Sequence, residues 1–554
     1  MTRYSEQGIE LPLGKRSIRY RFLEILPGFL SYTIVILLFA LSLLNPTLGA
    51  IYLLLIIAMT SVKAVAVAYR TIQGYHKVER AELVNWQKRL ADLENPHDSF
   101  ERLRGKNESS FQFDRHVQNL KTLSAIQDLS LKDENGDEIE FPKPKEIYHA
   151  VLMVAYNEGL DTLIPTVKAV RDTSFANERI IFVLGYEERG GEEMEKNAQE
   201  LKKLFKNTFY DFILVKHPKD LKGEIQGKGP NLTYAGEFLQ KYVENQQIKT
   251  ENVIVTSLDS DNHMSKSYLD YVAYEFIVHP NRQKLSYQPV SLFMNNIWDA
   301  PAMMRIVAIS NSFFNVLNSM RPHALRNFAS HSQPLLALKC MNFWSKRTIV
   351  EDGHQFWRSL FFFEGDYEVL SIKVPIYQDA VMEETLWKTL KAQFVQLRRW
   401  DYGASDVAYV GVRLFSRKRK MPFLPLFAKF MRLLDGHVTL AAMAPIVAFG
   451  GWVPRLLNFR SRELLTYNLP NTVGVIQLVA SIGMMITIFL SLRMLPPRPK
   501  KYSRKRSFMM VLQWILMPIV AIVYQSLTAF YSQTRLLTGR YMEKFDVTKK
   551  VVKK

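Results

Sequence analysis

The sequence predicts an α/β domain, a mostly parallel sheet covered by helices, flanked by transmembrane helices, and three observations predict it. From Pro144 to Val278 short apolar runs alternate with helical patterns, the order that builds parallel strands joined by crossover helices. Two apolar runs, Ile25 to Leu44 and Leu48 to Ala68, follow one another across the turn Asn45-Pro46-Thr47, and roughly 20 residues suffice to span a hydrocarbon core. Further apolar runs occupy Val438 to Val453, Val473 to Leu492 and Phe508 to Phe530.

Composition narrows the setting. A chain of 554 residues with 48% hydrophobic content holds more than one domain and a sizeable core. The formal net charge of +19, from 72 Lys and Arg against 53 Asp and Glu, admits nucleic acid, an anionic membrane surface or a phosphorylated substrate. The basic residues concentrate beside the apolar runs, which points to membrane lipids as partners, and with no RNA or DNA module pattern, nucleic acid is not expected. The single cysteine, Cys340, excludes an intramolecular disulfide and suits a central domain facing the cytoplasm.

The first two runs read as a hairpin, since a signal peptide has a shorter apolar stretch and no second span at once behind it. Lys15, Arg16, Arg19 and Arg21 before the hairpin, and Arg70, Lys77 and Arg80 after it, place both flanks on the cytoplasmic side of the cell membrane. The expected segments are 1–24 cytoplasmic, 25–70 transmembrane hairpin, 71–144 helical linker, 145–420 catalytic domain, 421–535 interfacial helix and C-terminal membrane region, and 536–554 basic tail. The loop from Arg493 to Arg506 should be cytoplasmic. A third C-terminal span would then carry the basic tail outside, so either one run is interfacial or re-entrant or the charge rule fails there. Phe423 to Leu434 reads as an amphipathic surface helix or as the start of the next span.

Within the central domain the expected strands are Tyr148 to Val154, Ile180 to Leu184, Phe212 to Val215 and Val253 to Leu258, with Tyr287 to Val290 as a further strand consistent with a mixed sheet. The expected helices are Leu160 to Arg171, Glu192 to Phe205, Asn231 to Gln246 and Ser267 to Val278. Ligands in such sheets bind at the carboxyl ends of the strands, where the polar motifs fall. Ala155-Tyr156-Asn157-Glu158 follow the first strand, and by themselves Asn157 and Glu158 read as a cap for the helix that begins near Gly159. In Gly227-Lys228-Gly229-Pro230-Asn231 the glycines allow close backbone approach to a phosphate and Lys228 adds charge, although the Walker spacing is absent and a plain Gly-Pro turn is the alternative. Asp259 and Asp261 alternate around Ser260, so both carboxylates can hold a divalent cation, Mg²⁺ or Mn²⁺, whose other ligands are diphosphate oxygens; a short acidic turn is the alternative. Met294 to Phe328 is amphipathic and aromatic-rich, as core or as a helix beneath the membrane. Glu351 and Asp352 open a helix, where the dipole alone favours acids. Gln396, Arg399 and Trp400 share one helix face.

These motifs in this order, with Gln396-Leu397-Arg398-Arg399-Trp400 matching a Gln-x-x-Arg-Trp pattern, resemble the processive, membrane-embedded family 2 glycosyltransferases, the group of cellulose, chitin and hyaluronan synthases. The resemblance runs from Lys145 to Tyr409 and implies a GT-A-type nucleotide-sugar-binding domain. It implies a metal at Asp259 and Asp261, and a general base at Asp352 with Glu351 beside it. Donor contacts are implied at Tyr156, Asn157, Glu158, Glu187, Lys228, Gly229, Asp259 and Arg399, and acceptor contacts at Gln396, Arg398 and Trp400. Two departures stand out: Gly185 and Tyr186 replace an aspartate that usually meets the base, with Glu187 as its substitute, and Val350 replaces a threonine. The implied partners are a nucleotide-diphosphate sugar, UDP-linked by expectation, a glycan or lipid-linked acceptor, and an export or accessory subunit. The alternatives are single addition to a lipid-linked acceptor and a non-catalytic membrane scaffold.

Overall fold

A computed structural model describes residues 6–12, 14–129, 141–459 and 464–542. Two compact units are each assembled from separated stretches: Met1–Leu11, Gly74–Leu292 and Asn318–Gln378 form one, and Pro12–Gln73, Phe293–Leu317 and Asp379–Lys554 the other. Residues 74–129 thus join the first unit, and 293–317 with 379–420 the second, so the units do not follow the segments expected from sequence.

The first unit holds, among the described residues, an eight-stranded sheet of order β3-β2-β1-β4-β7-β6-β8-β5. The strands are β1 Tyr148–Ala155, β2 Ile180–Glu187, β3 Asp211–His217, β4 Val253–Asp259, β5 His263–Met264, β6 Leu285–Leu292, β7 Ser332–Pro334 and β8 Glu368–Tyr377. β3, β2, β1 and β4 are parallel neighbours, as expected. Beyond β4 the sheet is mixed: β7 runs antiparallel to β4 and β6, β6 and β8 are parallel, and β5 returns antiparallel to β8. The mostly parallel expectation therefore holds only for the first half, because β7 and β5 are too short to show a strand pattern.

Parallel strands covered on both faces read as continuous apolar runs, and successive side chains point to opposite faces. Val151, Met153 and Ala155 accordingly enter one core with Phe182 and Leu184. Ala150, Leu152 and Val154 enter another, with Leu232, Ala235, Leu239 and Val243 of the helix Lys228–Asn245. That helix begins three residues before the expected Asn231; Pro230 is accommodated in its first turn, where backbone N–H groups have no intrahelical acceptor. The stretch expected as a linker is drawn into the first core by its own apolar faces: Trp86 stacks on Tyr271 at 3.5 Å between ring centroids, and Leu90, Leu93 and Leu120 pack nearby. Ile9 packs with Ala337, Met341 and Phe362.

The second unit contains the hairpin. The helix Ile18–Leu44 turns at Asn45 into Pro46–Glu82, whose last residues belong to the first unit. Gly49 makes the turn possible, since a Cβ there would lie 2.2 Å from Ser42 Oγ. Among the described residues four helical stretches are long and apolar enough to cross a membrane: Ile18–Leu44, Pro46–Glu82, Phe423–Leu457 and Arg504–Leu537. Phe423 to Leu434 is not a separate helix but the first turns of Phe423–Phe449. The Val473 to Leu492 run lies in the helix Leu464–Met494.

Arg504–Leu537 is broken by a 3₁₀ turn at Gln513–Leu516 and a π turn at Ile522–Ser526, with Pro518 between them removing a backbone donor. Its last segment packs on the hairpin and on Phe423–Phe449. Ser31 Oγ donates to Gln533 Oε1 at 2.7 Å, and Gln533 Nε2 donates to the His437 carbonyl at 2.8 Å. Arg21 donates to the carbonyls of Leu536 and Leu537 at 3.0 and 3.2 Å, so this helix ends beside the start of the first one. The basic residues Lys549 to Lys554 lie outside the described residues.

Candidate active site

The chemistry converges on Lys228. Gly227, in extended conformation, leads into the helix whose first residue is Lys228, and the ammonium points at the end of β4 and at the start of the helix Glu351–Phe362. Lys228 Nζ lies 2.7 Å from Asp259 Oδ1, 2.8 Å from Asp352 Oδ2 and 3.5 Å from Glu351 Oε1. Burial opposes a charged lysine, but the three carboxylates outweigh it and hold the ammonium pKa above the ordinary lysine value. With one nitrogen shared, the Asp259 and Asp352 oxygens are no farther apart than the two contact distances laid end to end.

Asp352 presents two different oxygens. Oδ2 holds Lys228, while Oδ1 is buried without a hydrogen-bond partner, 4.0 Å from His331 Nδ1. His331 is fully buried and donates from Nδ1 to the Phe328 carbonyl at 2.9 Å; burial lowers its pKa, with the nearby Asp352 carboxylate opposing the shift. A buried acceptor atom left open calls for an explanation, and a catalytic role is one. Gly229 is required for this geometry, because a Cβ would stand 2.3 Å from the Ser345 carbonyl oxygen and 3.2 Å from Glu351 Cβ. Its close approach on that side is to protein backbone.

At the end of β1 the Glu158 carboxylate accepts from the backbone N–H of Tyr156 at 2.6 Å and of Asn157 at 3.1 Å. Burial raises its pKa. Glu158 closes its own turn and does not cap the following helix, whose N-cap is Gly159. Asn157 is exposed, and the Arg189 guanidinium lies over the Tyr156 ring, 5.4 Å from its centroid. Arg189 also pairs with Glu187 at 2.7 Å. At the position where this sequence has Gly185 and Tyr186 in place of the expected aspartate, Gly185 makes room for Asn231, whose Nδ2 donates to the Gly185 carbonyl at 3.3 Å, and the Tyr186 hydroxyl donates to Glu195 at 2.9 Å.

Asp261 is buried just after β4, and His263 sits in β5 opposite Tyr377. Among the described residues no three His, Cys, Asp or Glu side chains group as a metal centre. The donor chemistry nevertheless fits Mg²⁺ or Mn²⁺, since Asp259 and Asp261 are hard oxygen ligands. Three carboxylates around one ammonium also leave the cluster formally negative, which an anionic ligand would enter only with a further cation.

The remaining expected residues belong to the second unit, on the helix Leu386–Asp401. Gln396 is buried and accepts from Gln393 Nε2 at 3.1 Å. Arg398 lies over the Tyr531 ring at 5.1 Å and donates to its hydroxyl at 3.4 Å, packing against the last helix. Arg399 is half-buried, and Trp400 is partly exposed with its ring 6.1 Å from that of Phe293. Of the residues singled out from the sequence, the structure brings Lys228, Asp259, Glu351 and Asp352 to one place. Sequence reasoning missed Arg189, His217 and His331, which carry no spacing signal and acquire their meaning from strand neighbours.

Neither a protein-family model nor a curated protein sequence matches the chain. Among solved structures it is similar to the mannosyltransferase PcManGT from Pyrobaculum calidifontis in complex with GDP-Man and Mn²⁺, with a TM-score of 0.40 and 12% identity over 86% of this chain and 100% of that one. It is also similar to S. aureus TarS 1-349 in complex with UDP-GlcNAc, with a TM-score of 0.32 and 12% identity over 71% of this chain and 93% of that one. Scores at this level carry no weight for the site, which rests on its own residues.

Proposed function

We propose that this chain is a membrane-integrated, inverting glycosyltransferase with a GT-A-type domain, a family 2 hexosyltransferase of the polysaccharide synthase kind. It takes a sugar from a nucleoside diphosphate sugar, a UDP-sugar in the first instance, to a growing polysaccharide at the cytoplasmic face of the cell membrane. The observation that carries this reading is the Lys228 ammonium between Asp259, at the end of β4, and Asp352, at the start of a helix. One ammonium thereby joins the strand end and the helix start at which a leaving diphosphate and an attacking hydroxyl would meet, and a divalent cation would offset the negative charge that the three carboxylates leave. Membrane integration is supported by the four apolar helices, and a cytoplasmic first unit by the basic flanks and by Cys340 as the one cysteine.

Asp352 Oδ1 takes the proton of the acceptor hydroxyl, and the oxygen attacks the anomeric carbon from the face opposite the diphosphate. The bond from that carbon to the phosphate oxygen breaks, and the diphosphate leaves with the electron pair. Lys228 neutralises the charge that develops there, and Glu351, buried beside it, holds the ammonium in place. A divalent cation held by Asp259 and Asp261 would supply further neutralisation of the diphosphate. Tyr156 and Glu187 lie at strand ends suited to the nucleoside.

The test is turnover by the purified protein in lipid discs with a panel of nucleotide sugars and Mg²⁺ or Mn²⁺. Metal-dependent nucleotide release with a ladder of products is expected, whereas one discrete product indicates single addition to a lipid-linked acceptor. Asp352→Asn should lower kcat by about 10²- to 10⁴-fold with donor affinity retained. Turnover undiminished in that variant removes Asp352 from the base role.

A further inference from the structure

Away from Lys228, six side chains of alternating charge run through the first unit. Arg189 pairs with Glu187 at 2.7 Å, Glu187 Oε2 lies 3.5 Å from His217 Nδ1, and His217 Nε2 lies 3.1 Å from Glu224 Oε2. Glu224 then meets Lys346 at 3.2 Å, and Lys346 meets Glu237 at 3.3 Å. His217 is the last residue of β3 and is buried. Glu187 is the last residue of β2, and Glu224 stands in the loop 218–227 that delivers Lys228. The Ile225 backbone N–H also donates to the Lys346 carbonyl at 2.9 Å, so that loop is held on two sides.

We infer that His217 is a positioning residue for the donor: as an imidazolium it ties Glu187, at the nucleoside end, to Glu224, in the loop leading to the diphosphate-facing Lys228. The inference rests on the function proposed above and adds a pH-dependent hold on the donor to it. The groups facing His217 are Glu187 and Arg189 from the end of β2, Glu224 from the loop with Lys346 behind it, and the Tyr234 ring of the helix Lys228–Asn245 at 5.3 Å. Burial works against the charge, yet the hydrogen bonds to Glu187 and Glu224 outweigh it and raise the imidazole pKa to about 9. A raised histidine pKa means that the tie is fully expressed below the ordinary pKa of 6.5 and is lost as pH rises through about 9. A neutral imidazole, with one donor nitrogen and one acceptor nitrogen, serves only one of the two carboxylates.

The experiment compares the full-length wild type, His217→Gln and His217→Lys in lipid discs, reading donor KM and kcat from pH 7 to 10 and hydrogen exchange in residues 218–227. His217→Gln should raise KM roughly tenfold with kcat at saturating donor nearly unchanged, while His217→Lys, which keeps a positive charge, recovers part of the loss. The wild-type KM should climb above about pH 9 and that of His217→Gln should not. Loop exchange should be faster in His217→Gln, with β1 and β4 unchanged as the control for folding. Wild-type KM together with wild-type loop exchange in His217→Gln overturns the inference. A wild type that binds and turns over no nucleotide sugar overturns the proposed function and the donor role together, and loop exchange then decides the tie alone.

Discussion

Lys228 is the residue on which the most depends. A cation buried among Asp259, Glu351 and Asp352 offsets charges that are costly to leave unpaired, and removing one partner of such a group costs on the order of 3–5 kcal/mol. Lys228→Met should therefore lower stability by about 3 kcal/mol, at the small end because Asp259 is 31% exposed, and should abolish donor binding. Thermal unfolding beside nucleotide binding checks this. Adding Asp352→Asn to the Lys228→Met variant should restore part of the stability, since one unpaired charge is then gone; an unchanged melting temperature in the single variant would show that the ammonium is dispensable. The motif residues were legible in the sequence, but their pairing was not, because Lys228 and Asp352 are 124 positions apart.

At the scale of elements, the helix Leu386–Asp401 shows how a local pattern is completed by a distant one. Its Gln-x-x-Arg-Trp face was readable from helical spacing, whereas its anchoring by the last helix was not. Tyr524 donates to the Leu390 carbonyl at 3.2 Å, and Arg398 packs on Tyr531. Asp401 closes the helix as a buried residue, and that burial pushes its carboxyl up to about 7, with a hydrogen bond to Thr528 opposing the shift. The folded state thus holds a proton that the unfolded chain releases near pH 4, so stability falls as pH rises from about 4 to 7 and stays low above it. Asp401→Asn should raise the melting temperature at pH 8, by an amount worth a few kcal/mol at most, and change little at pH 4. An equal shift at both pH values would mean that Asp401 is not protonated in the fold.

At the scale of the whole chain, the described end of the last helix makes contacts that charge counting along the sequence does not foresee. Arg16 and Arg21 both pair with the buried Glu24, the Arg16 guanidinium lies over Tyr541 at 3.5 Å, and Arg21 reaches the carbonyls that end the last helix. The broken stretch Arg504–Leu537 therefore finishes where the first helix starts. Single cysteines at Gly14 and Met542, in a Cys340→Ser background, should react with an impermeant reagent from the same side of closed vesicles; labelling from opposite sides rejects this topology. The sequence by itself determined the parallel half of the sheet, the hairpin and the carboxylate motifs, because apolar period, span length and strand-end position are local properties. Only the tertiary structure decided that one lysine joins three acids, that His217 bridges two strands and a loop, and that the last helix returns to the first. Those features depend on side chains distant in the chain becoming neighbours, and no local pattern encodes which pairs will meet.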